Sequence, residues 1–385
     1  MRKPFIDQSY KLGILGGGQL GKMLCQSASR WGLHTHILDT SRDFPAGAVC
    51  DSFTEGNFKD FDDVVAFGQS MDAVTIEIES VNSDGLRALR DNGVIVHPSP
   101  ESLDIIKDKG LQKAFYVEIG LPTASFELFD KKSEVQALVD SGKRNFPFVV
   151  KARRDGYDGR GVAMIRNQED LDNCFDTPCL VEPLIDLELE ISVVVARNIH
   201  GEIKSFPTVG MHFYPIANLV DYLYCPSGIG PSLESEAMQI AQAAIEGLDI
   251  CGLLAVEMFV TSNGEILINE VAPRPHNSGH HTIEALSVSQ FEQHIRGVVG
   301  LPLADPVLRS PAVMINILGS EGHTGDAIYQ GITESLALGD VHIHLYGKQI
   351  TKPFRKMGHS TILAPDLEQA IEKAKFVRDL IKVIS

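Results

Sequence analysis

The stretch LLAVEMFVTSNGEILINEV, residues 253–271, contains two apolar runs separated by Asn263-Gly264. An Asn-Gly pair between two such runs is typical of a tight β-hairpin. With these residues at the centre of the turn, residue 262 pairs with 265, 259 with 268 and 257 with 270. Glu257 and Glu270 then face each other across the ladder, where like charges repel unless a cation or a shared proton lies between them. The spacing therefore predicts a Mg2+ site completed by nucleotide phosphates, or else a solvated hairpin end with both glutamates in water.

The size and charge of the chain limit its class. At 385 residues and 42.1 kDa it exceeds the length at which one core keeps growing, so two or three domains are expected. A formal net charge of -17 would repel a phosphate backbone, so nucleic acid is not an expected partner. Six cysteines without a C-x-x-C pair are typical of reduced, buried thiols and disfavour a zinc site. Neither a signal peptide nor an apolar run of about 20 residues is found, so a cytoplasmic protein without a membrane partner is expected.

Short apolar runs alternate with amphipathic runs from residue 11 to residue 97, which is typical of parallel α/β units. A turn follows, where Ser99 caps and Pro100 opens a new helix, and it marks the first domain boundary. From about 100 to 300 the pattern is mixed and indicates α+β lobes around a cleft, and a third segment begins near Leu301. The periodicity predicts strands at 11–15, 34–38, 94–96, 148–151, 162–165, 312–318 and 341–345, a helix at 19–30 and a final helix capped by Asp366.

A glycine-rich loop, GGGQLG at 16–21, follows the first predicted strand and opens the first helix. Asp39 ends the next strand, where a dinucleotide-binding fold places its ribose-binding acid. The pattern alone indicates a dinucleotide. Any phosphorylated ligand would also satisfy backbone N–H groups at a helix N-terminus, so the loop does not decide between the two.

A second loop, residues 153–161, joins two predicted strands and carries three glycines with Arg153, Arg154 and Arg160. Lys151 ends the preceding strand and supplies a point charge from beneath. Backbone N–H groups in such a loop can close over phosphates, so we expect an anion-binding lid. An ordinary Asp-Gly turn is the alternative.

Two further segments carry polar groups. The connector that begins at Cys179 contains Glu182 and is followed by Glu190, an arrangement that suits adenine and ribose but also fits a plain connector. The segment 269–281 places arginine, histidine and asparagine directly after the hairpin, where they could bind a small planar oxyanion, or form a surface loop. Basic residues at 348–356 indicate either a further anion site or a solvated face.

In this order, the motifs resemble the ATP-grasp superfamily. The resemblance is more specific to the 5-(carboxyamino)imidazole ribonucleotide synthases of purine biosynthesis, and it extends over nearly the whole chain. It rests on GGGQLG at 16–21, TIEIESV at 75–81, GYDGRG at 156–161, INEVAPRPHNSGH at 268–280, and YGK with RKMGH at 346–359.

The resemblance implies an α/β and α+β protein with the ATP-grasp fold. An N-terminal Rossmann-like (pre-ATP-grasp) domain is expected at 1–98, an ATP-grasp domain at 99–300 with a lid lobe at about 120–185, and a small C-terminal domain at 301–385. The family uses ATP and Mg2+, with bicarbonate as co-substrate, to make carboxyphosphate, which releases CO2 beside the exocyclic amine of aminoimidazole ribonucleotide. The product is a carbamate. A homodimer is also implied.

Residue roles follow from the same resemblance. Nucleotide contacts are implied for Lys109, Lys151, Gly156, Tyr157, Asp158, Gly159, Arg160, Gly161, Glu182, Ile185, Glu190, His212, Asn269 and Glu270. Metal contacts are implied for Glu257, Glu270 and Asn269. Contacts with the ribonucleotide are implied for Gln19, Glu77, Tyr157, Arg160, Arg274, His276, Lys348, Arg355 and Lys356. The chemical steps are implied for Asp158, Arg274, His276, Asn277 and Lys348, with Asp158 as the proton acceptor from the attacking amine.

The chain departs from the family pattern at three positions. Position 109 is more often arginine in the family, and lysine keeps the charge but loses the planar fork. Arginine and glycine are usual in the family where this chain has Lys352 and Phe354, so the resemblance does not predict the shape of that loop.

Three rival functions remain at this stage. A formate-dependent glycinamide ribonucleotide transformylase would share the ATP-grasp fold. An NAD-dependent oxidoreductase would use residues 16–21, and a non-catalytic regulator would bind ATP without turning it over.

Overall fold

The computed structural model describes residues 7–154, 156, 161–213 and 220–385. Its N-terminal part is a sheet of five parallel strands in the order β3-β2-β1-β4-β5. The strands are β1 (Lys11–Leu15), β2 (His34–Asp39), β3 (Ser52–Glu55), β4 (Ala73–Ile76) and β5 (Ile95–Val96). The helices are α1 (Gln19–Ser29), α2 (Phe61–Gly68) and α3 (Ser83–Asp91), with a 3-10 turn at Pro45–Ala48.

This sheet confirms the α/β prediction for residues 11–97. Strand β1 has the predicted bounds, and four of its five residues are buried because helices cover both faces of a parallel sheet. Helix α1 ends one residue earlier than expected, and Gly32 follows it at φ +65, a conformation that favours glycine. The carboxyl ends of β1 and β4 lie side by side, which brings the glycine-rich loop next to Glu77.

Three helices and an antiparallel sheet follow, and the sheet forms the smaller lobe. Ser99 accepts a hydrogen bond from the N–H of Ser102, so the predicted cap and the proline at the first helical position are both confirmed. The helices are α4 (Pro100–Ile106), α5 (Lys109–Glu118) and α6 (Lys132–Asp140), with a 3-10 turn at Glu169–Asn173. The lobe is an antiparallel sheet in the order β6-β9-β7-β8, with β6 (Glu127–Phe129), β7 (Phe148–Ala152), β8 (Val162–Ile165) and β9 (Cys179–Pro183).

The larger lobe is built on long antiparallel strands. They are β10 (Leu187–Arg197), β11 (Ile203–Ser205), β12 (Val209–Phe213), β13 (Val220–Cys225), β14 (Gly252–Thr261) and β15 (Ile266–Ala272). The helices are α7 (Pro231–Gly247), α8 (Thr282–Ala285) and α9 (Gln290–Val299), with a 3-10 turn at Asn277–Gly279. Helix α7 packs on one face of β10, β14 and β15 and forms a large apolar core with them. The opposite face carries the site described below.

The turn of the β14–β15 hairpin is one residue longer than the sequence predicts. The N–H of Thr261 donates to the carbonyl of Glu265 at 2.9 Å, so residues 262–264 form a three-residue loop. Gly264 lies at φ +81, the left-handed conformation that such a loop requires at its last position. The predicted pairing of residue 262 with 265 was therefore wrong, and the ladder beyond the turn is shifted by one position.

A β-bulge cancels this shift. Phe259 pairs with Leu267, not with residue 268 as predicted, and the register then changes so that Asn269 is an extra residue on β15. Beyond the bulge Glu257 lies opposite Glu270, and this predicted pair is confirmed. The prediction of the pair was right although the turn length was wrong, because the long turn and the bulge offset each other.

The C-terminal segment continues the large sheet. Strand β16 (Ala312–Leu318) pairs with β13, so the order β15-β14-β10-β12-β13-β16-β21-β19 runs through both segments. The other strands are β17 (Gly325–Asp326), β18 (Ile328–Gln330), β19 (Val341–Leu345), β20 (Ile350–Thr351), β21 (Lys356–Leu363) and β22 (Lys382–Ile384). The helices are α10 (Ile332–Leu336) and α11 (Leu367–Leu380), and Asp366 caps α11 by accepting from the N–H of Gln369 at 2.9 Å, as predicted.

The three-domain division stays a prediction. The strands of its last two parts pair in one continuous sheet. All six cysteines are free thiols, as the sequence predicts. Among the residues that the structure describes, no helix combines the length and the apolar character that a membrane crossing requires.

Candidate active site

The opposed glutamates of the hairpin lie in a cleft with a lysine against one of them. The ammonium group of Lys109, the first residue of α5, forms an ion pair with Glu270. Burial disfavours the charge of Lys109, but Glu270 raises its pKa above the usual value. Lys109 of α5 thus neutralises part of the negative charge of the two carboxylates.

The pKa values of the two glutamates are shifted in opposite directions. Burial and the neighbouring carboxylates of Glu270 and Glu190 raise the pKa of Glu257 to about 8. The Glu270 side chain is 41% exposed but lies within the cleft, where desolvation opposes its charge. Lys109 outweighs that effect and holds the pKa of Glu270 below its ordinary value. At neutral pH the pair therefore carries close to one negative charge.

A second cationic cluster lies under the smaller lobe. Lys151 of β7 lies 2.7 Å from Glu182 Oε2 and donates to Asn269 Oδ1 at 2.7 Å. The bulge therefore places Asn269 against Lys151 of β7 and Glu270 against Lys109 of α5. Lys113, one helical turn after Lys109, lies 2.5 Å from Glu182 Oε1. Glu182 is only 3% exposed, and two lysines share its charge.

Glu190 belongs to the same face of the sheet. It lies opposite Phe259, and Ser192 lies opposite Glu257, so Glu190 and Glu257 project from one face. Burial raises the pKa of Glu190 to about 7, and Lys151 acts against that rise. Ile185 lies in the short connection between β9 and β10, half-buried, beside Glu182 in sequence.

His212 is not brought to this group. Met211, not His212, lies opposite Glu190, so His212 projects from the other face of the sheet. There its ring stacks on Tyr222 with 4.7 Å between centroids, and its Nδ1 lies 3.6 Å from Asp221. The implied nucleotide contact of His212 finds no support in this position.

The base of the second glycine-rich loop is anchored to α5. Asp108 caps this helix through the N–H of Gly110 at 2.9 Å and also binds Arg153 with two bonds of 2.8 Å. Burial opposes its charge, but Arg153 holds the pKa of Asp108 below its usual range. Gly161 lies at φ +77, close to Gly156. Four of the implied loop ligands lie outside the described residues, namely Tyr157, Asp158, Gly159 and Arg160.

The segment after β15 connects the hairpin to the N-terminal domain. Arg274 forms an ion pair with Glu79 at 2.8 Å, and Nε2 of His276 lies 3.4 Å from Glu257. Asn277 begins the 3-10 turn that follows. The structure therefore brings His276 to the glutamate pair and joins Arg274 to Glu79 of the N-terminal domain.

A serine sets the tautomer of His276. The backbone N–H of Ser278 donates to Nδ1 of His276 at 3.3 Å, so that nitrogen is unprotonated. Nε2 then carries the hydrogen, and this nitrogen lies 3.4 Å from Glu257. The hydroxyl of Ser278 is itself 2.8 Å from that of Ser192 on β10, which ties the histidine to the sheet.

The glycine loop at 16–21 is filled by side chains of the chain itself. Glu77 accepts hydrogen bonds from Gly18 N–H at 2.9 Å and Gly21 N–H at 3.0 Å, and Asp39 accepts from Gly17 N–H at 2.7 Å. Burial raises the pKa of Glu77 to about 7, while the two N–H groups act in the opposite direction. These donors are the ones that a dinucleotide pyrophosphate would need, so the structure disfavours the oxidoreductase alternative.

The implied ribonucleotide ligands come from three segments. Gln19 begins α1 and is half-buried. Lys348 donates to the carbonyl of Lys356 at 2.8 Å, and Arg355 donates to the carbonyl of Ile350. The charge of Lys356 reaches Glu257 and favours its ionised form. Lys356 of the C-terminal basic group therefore lies near the hairpin.

The donor set fits magnesium. Glu257, Glu270 and Asn269 offer two carboxylates and an amide oxygen, the hard oxygen ligands that Mg2+ accepts when phosphates and water complete its shell. Within the described ranges, no three His, Cys, Asp or Glu side chains converge as a metal site of their own. A metal at this hairpin would depend on oxygens from a bound phosphate.

Sequence reasoning missed two residues of the site, Lys113 and Asp108. Lys113 follows Lys109 by one helical turn, a spacing that places both on one helix face and could have indicated a second lysine. Asp108 directly precedes the predicted phosphate ligand Lys109 and has the residue type of a helix cap. Their partners Glu182 and Arg153 lie far along the chain, and no local pattern shows such contacts.

Known families match the chain in three consecutive parts. Residues 9–107 match the ribonucleotide synthetase preATP-grasp domain, and residues 114–291 match the ATP-grasp domain. Residues 312–373 match the phosphoribosylaminoimidazole carboxylase C-terminal domain. The chain spans 64% to 69% of the length of the phosphoribosylaminoimidazole carboxylases of two yeasts and a plant that it matches.

Shorter relatives match from end to end. The N5-carboxyaminoimidazole ribonucleotide synthase of Bacillus subtilis is 33% identical over 97% of this chain and 96% of its own. The crystal structure of the synthetase from Thermotoga maritima is 40% identical, with a TM-score of 0.90 over 98% of this chain and 99% of that one. The Aspergillus clavatus synthase, solved with ADP and 5-aminoimidazole ribonucleotide, is 30% identical, with a TM-score of 0.88 over 97% and 98%.

The ATP-grasp fold with its preATP-grasp and C-terminal parts is thus confirmed. With relatives matched over nearly their whole length, the chain belongs to the N5-carboxyaminoimidazole ribonucleotide synthase family of ATP-grasp ligases.

Proposed function

We propose that this chain uses ATP and bicarbonate to carboxylate the exocyclic amine of 5-aminoimidazole ribonucleotide, giving the N5-carboxyamino product of purine biosynthesis. One observation carries the proposal. The opposed pair Glu257 and Glu270 has the lysines of a nucleotide site on one side and Arg274 and His276 on the other. Such a site can serve two half-reactions that share one transferred phosphate.

At the nucleotide end, lysines would neutralise the phosphates. Lys109 and Lys151 now bind Glu270, Glu182 and Asn269, and each would exchange a partner for a phosphate oxygen. Gly156 to Gly161 would close over the phosphates, and Asp108 would fix the base of this loop through Arg153. The backbone of Glu182 and Ile185 would contact adenine, and Glu190 the ribose. His212 lies on the opposite face and is left out of this proposal.

Glu257, Glu270 and Asn269 would hold Mg2+. When bound, the ion would neutralise charge between the transferred phosphate and its leaving group. The chain's own contribution is the hairpin register, which brings two carboxylates together that repel each other without a cation. Lys109 supplies part of that compensation from the opposite wall.

At the substrate end, the residues would orient carboxyphosphate and the imidazole. The guanidinium of Arg274 has the planar fork that suits a carboxylate or phosphate, and Glu79 holds it in place at 2.8 Å. His276 would donate from Nε2, because Ser278 occupies its Nδ1. The implied ligands Gln19, Lys348, Arg355 and Lys356 would complete the ribonucleotide site, with Asn277 beside His276 and Asp158 as proton acceptor. Exclusion of water here would protect carboxyphosphate and CO2.

Glu77 has a different part in this proposal. Its carboxylate accepts from the N–H groups of Gly18 and Gly21, so it would shape the loop that borders the ribonucleotide. The homodimer implied by the family and the cytoplasmic location expected from the sequence are also proposals. One relative is chloroplastic, so location differs among relatives.

The test is ADP release with each substrate omitted in turn. We expect release to require ATP, bicarbonate and aminoimidazole ribonucleotide together. Turnover that requires formate would favour the transformylase, and ATP binding without turnover under any combination would favour a regulator. Enhanced NADH fluorescence on mixing NADH with the protein would favour the oxidoreductase.

The metal assignment has its own test. We expect Glu270→Gln to reduce ATP turnover about 100-fold or more, because one of two carboxylates that hold the ion is lost. Glu265→Gln on the exposed turn of the same hairpin is the matched control and should leave turnover unchanged. Turnover of Glu270→Gln equal to that of the control would contradict the assignment.

A further inference from the structure

Lys113 is a buried lysine that the proposed reaction does not use. Its side chain is 3% exposed, and its ammonium group has three partners in the described structure. It lies 2.5 Å from Glu182 Oε1, donates to Thr123 Oγ1 at 2.7 Å and reaches the carbonyl of Ile268 at 3.4 Å. A lysine so enclosed cannot extend to a ligand in the cleft.

Glu182 pairs with Lys113 and also with Lys151, which the proposed function assigns to an ATP phosphate. Lys151 pairs with the second carboxylate oxygen of Glu182 at 2.7 Å and also donates to Asn269. If Lys151 moves to a phosphate, as the proposed function requires, Glu182 loses one of its two cations. At 3% exposure, an unpaired Glu182 carboxylate would be strongly unfavourable.

We infer that Lys113 is a positioning residue of the nucleotide site: it stays with Glu182 as its permanent counter-ion and so allows Lys151 to transfer to an ATP phosphate. The inference rests on the proposed role of Lys151. Without Lys113, Glu182 would retain Lys151, and ATP would have to compete with a buried carboxylate for the same ammonium group.

The charge state of Lys113 agrees with this role. Burial lowers the pKa of Lys113 to about 8, while Glu182 acts to raise it and Lys151 to lower it further. The side chain is still mainly protonated at neutral pH. Departure of Lys151 would remove a repulsive neighbour, so the pair between Lys113 and Glu182 would become stronger when ATP is bound.

The experiment is a double-mutant cycle on Lys113 and Glu182, with ATP affinity measured by calorimetry in the absence of the other substrates. We expect Lys113→Met to weaken ATP binding about tenfold, because Lys151 is then held by Glu182. Adding Glu182→Gln removes the competing charge, so the double variant should bind ATP several-fold more tightly than Lys113→Met.

A matched control separates this effect from the loss of any buried lysine. Lys107 is also largely buried, but it donates to the carbonyl of Val81 and the hydroxyl of Ser83, away from the cleft. Lys107→Met should lower the unfolding temperature and leave ATP affinity within about twofold. If Lys113→Met does not fold, Lys113→Gln takes its place with the same expectations.

Two outcomes overturn the inference. One is ATP affinity in the Lys113 variant equal to that of Lys107→Met, and the other is a double variant that binds ATP as weakly as Lys113→Met. Failure of the proposed function is seen separately, as an unsubstituted chain that binds ATP but shows no bicarbonate- and ribonucleotide-dependent ADP release.

Discussion

Lys109, Lys113 and Lys151 show how single residues balance the charge of the cleft. Each is paired with a carboxylate on a strand: Lys109 with Glu270 of the larger lobe, and Lys113 and Lys151 with Glu182 of the smaller lobe. Burial raises the pKa of Glu257 to about 8 and that of Glu190 to about 7, and among the described residues neither forms an ion pair with a lysine. Proton uptake thus supplies the compensation at Glu257 that a metal ion would supply when bound.

The pH dependence of stability should report the raised pKa of Glu257. Its folded value of about 8 exceeds the unfolded value of about 4.3, so its stabilising contribution is full below about pH 4.3 and is lost as pH rises through 8. In metal-free buffer, we expect the stability of the native chain relative to Glu257→Gln to fall by about 1 to 3 kcal/mol between pH 5 and 9. Urea unfolding of both proteins measures this difference.

The control for this pH series is Glu265→Gln, because Glu265 is exposed on the same hairpin. Its stability difference from the native chain should not change over the same range. A Glu257→Gln difference that is equally flat would show that Glu257 is ionised in the folded, metal-free protein.

Phe354 is a residue-level departure that the backbone reveals. It lies at φ +61, in the left-handed region that favours glycine. The phenylalanine side chain is 47% exposed. We expect Phe354→Gly to stabilise the protein by roughly 0.5 to 1 kcal/mol, because the left-handed conformation costs a non-glycine residue about that much or more.

Thermal unfolding measures the Phe354 prediction, and a second exposed phenylalanine provides the comparison. Phe376 is 55% exposed within α11. Phe376→Gly should destabilise by about 1 kcal/mol, since glycine is unfavourable inside a helix. Destabilisation of Phe354→Gly by a similar amount would mean that side-chain packing at Phe354 outweighs backbone strain.

At the scale of elements, the β14–β15 hairpin positions the site through its turn and its bulge. The three-residue turn shifts the register by one, and the extra residue Asn269 shifts it back. Beyond the bulge, Glu270 faces Glu257, and Asn269 itself contacts Lys151. A bulge is a common way to re-aim side chains near active sites, and here it leaves Glu270 opposite Glu257 while Asn269 contacts Lys151.

The turn and the site should therefore be separable. Gly264 lies at φ +81 with open space where a Cβ would project, so Gly264→Ala should cost roughly 1 kcal/mol of stability through its backbone alone. ATP affinity should remain unchanged, because the bulge lies nearer to the carboxylates than the turn does. Chemical denaturation and calorimetry test the two parts.

Gly142 offers a matched comparison for Gly264. It lies at φ +71 in the smaller lobe, also with open space around its Cβ position. Gly142→Ala should cost a similar amount of stability. A loss of ATP affinity in Gly264→Ala alone would show that the turn, and not only the bulge, sets the position of the glutamates.

At the scale of the whole molecule, side chains and strands join the three parts of the chain. Thr75 of the N-terminal sheet is 2.8 Å from Nε2 of His294 on α9, and Lys22 donates to the carbonyl of Leu345 at 2.9 Å. His359 lies between His280 and His344, with 4.5 Å between neighbouring ring centroids. Burial lowers the pKa of His280 and His359 well below the usual value, so these two rings are neutral.

These connections predict that the C-terminal segment cannot be removed. A chain ending at Gly300 would expose the edge of β13, which now pairs with β16, and would uncover the cluster that Met314 completes. We expect this truncation to aggregate or to unfold without a cooperative transition, as measured by gel filtration and circular dichroism. A monomeric truncation with the ATP affinity of the full chain would contradict the prediction.

Much of the fold was predictable because its signals are local. Strands at 11–15, 162–165, 312–318 and 341–345 have the predicted bounds, since apolar periodicity and adjacent turn residues define them. The caps at Ser99 and Asp366 were also predictable from residue type. Turn length and bulges were not, because a change of one residue leaves the hydrophobic pattern of a hairpin almost unaltered.

The candidate site divides in the same way. The amino-acid sequence by itself determined the kinds of groups present and the order of the motifs. It predicted the pairing of Glu257 with Glu270, but the turn and the bulge that produce this pairing were seen only in the structure. Only the tertiary structure decided that Glu77 fills the glycine loop, that His212 faces away and that Lys113 shares Glu182 with Lys151. The reason is physical: these contacts join residues far apart in the chain, and strand pairing and tertiary packing, not local periodicity, set their distances.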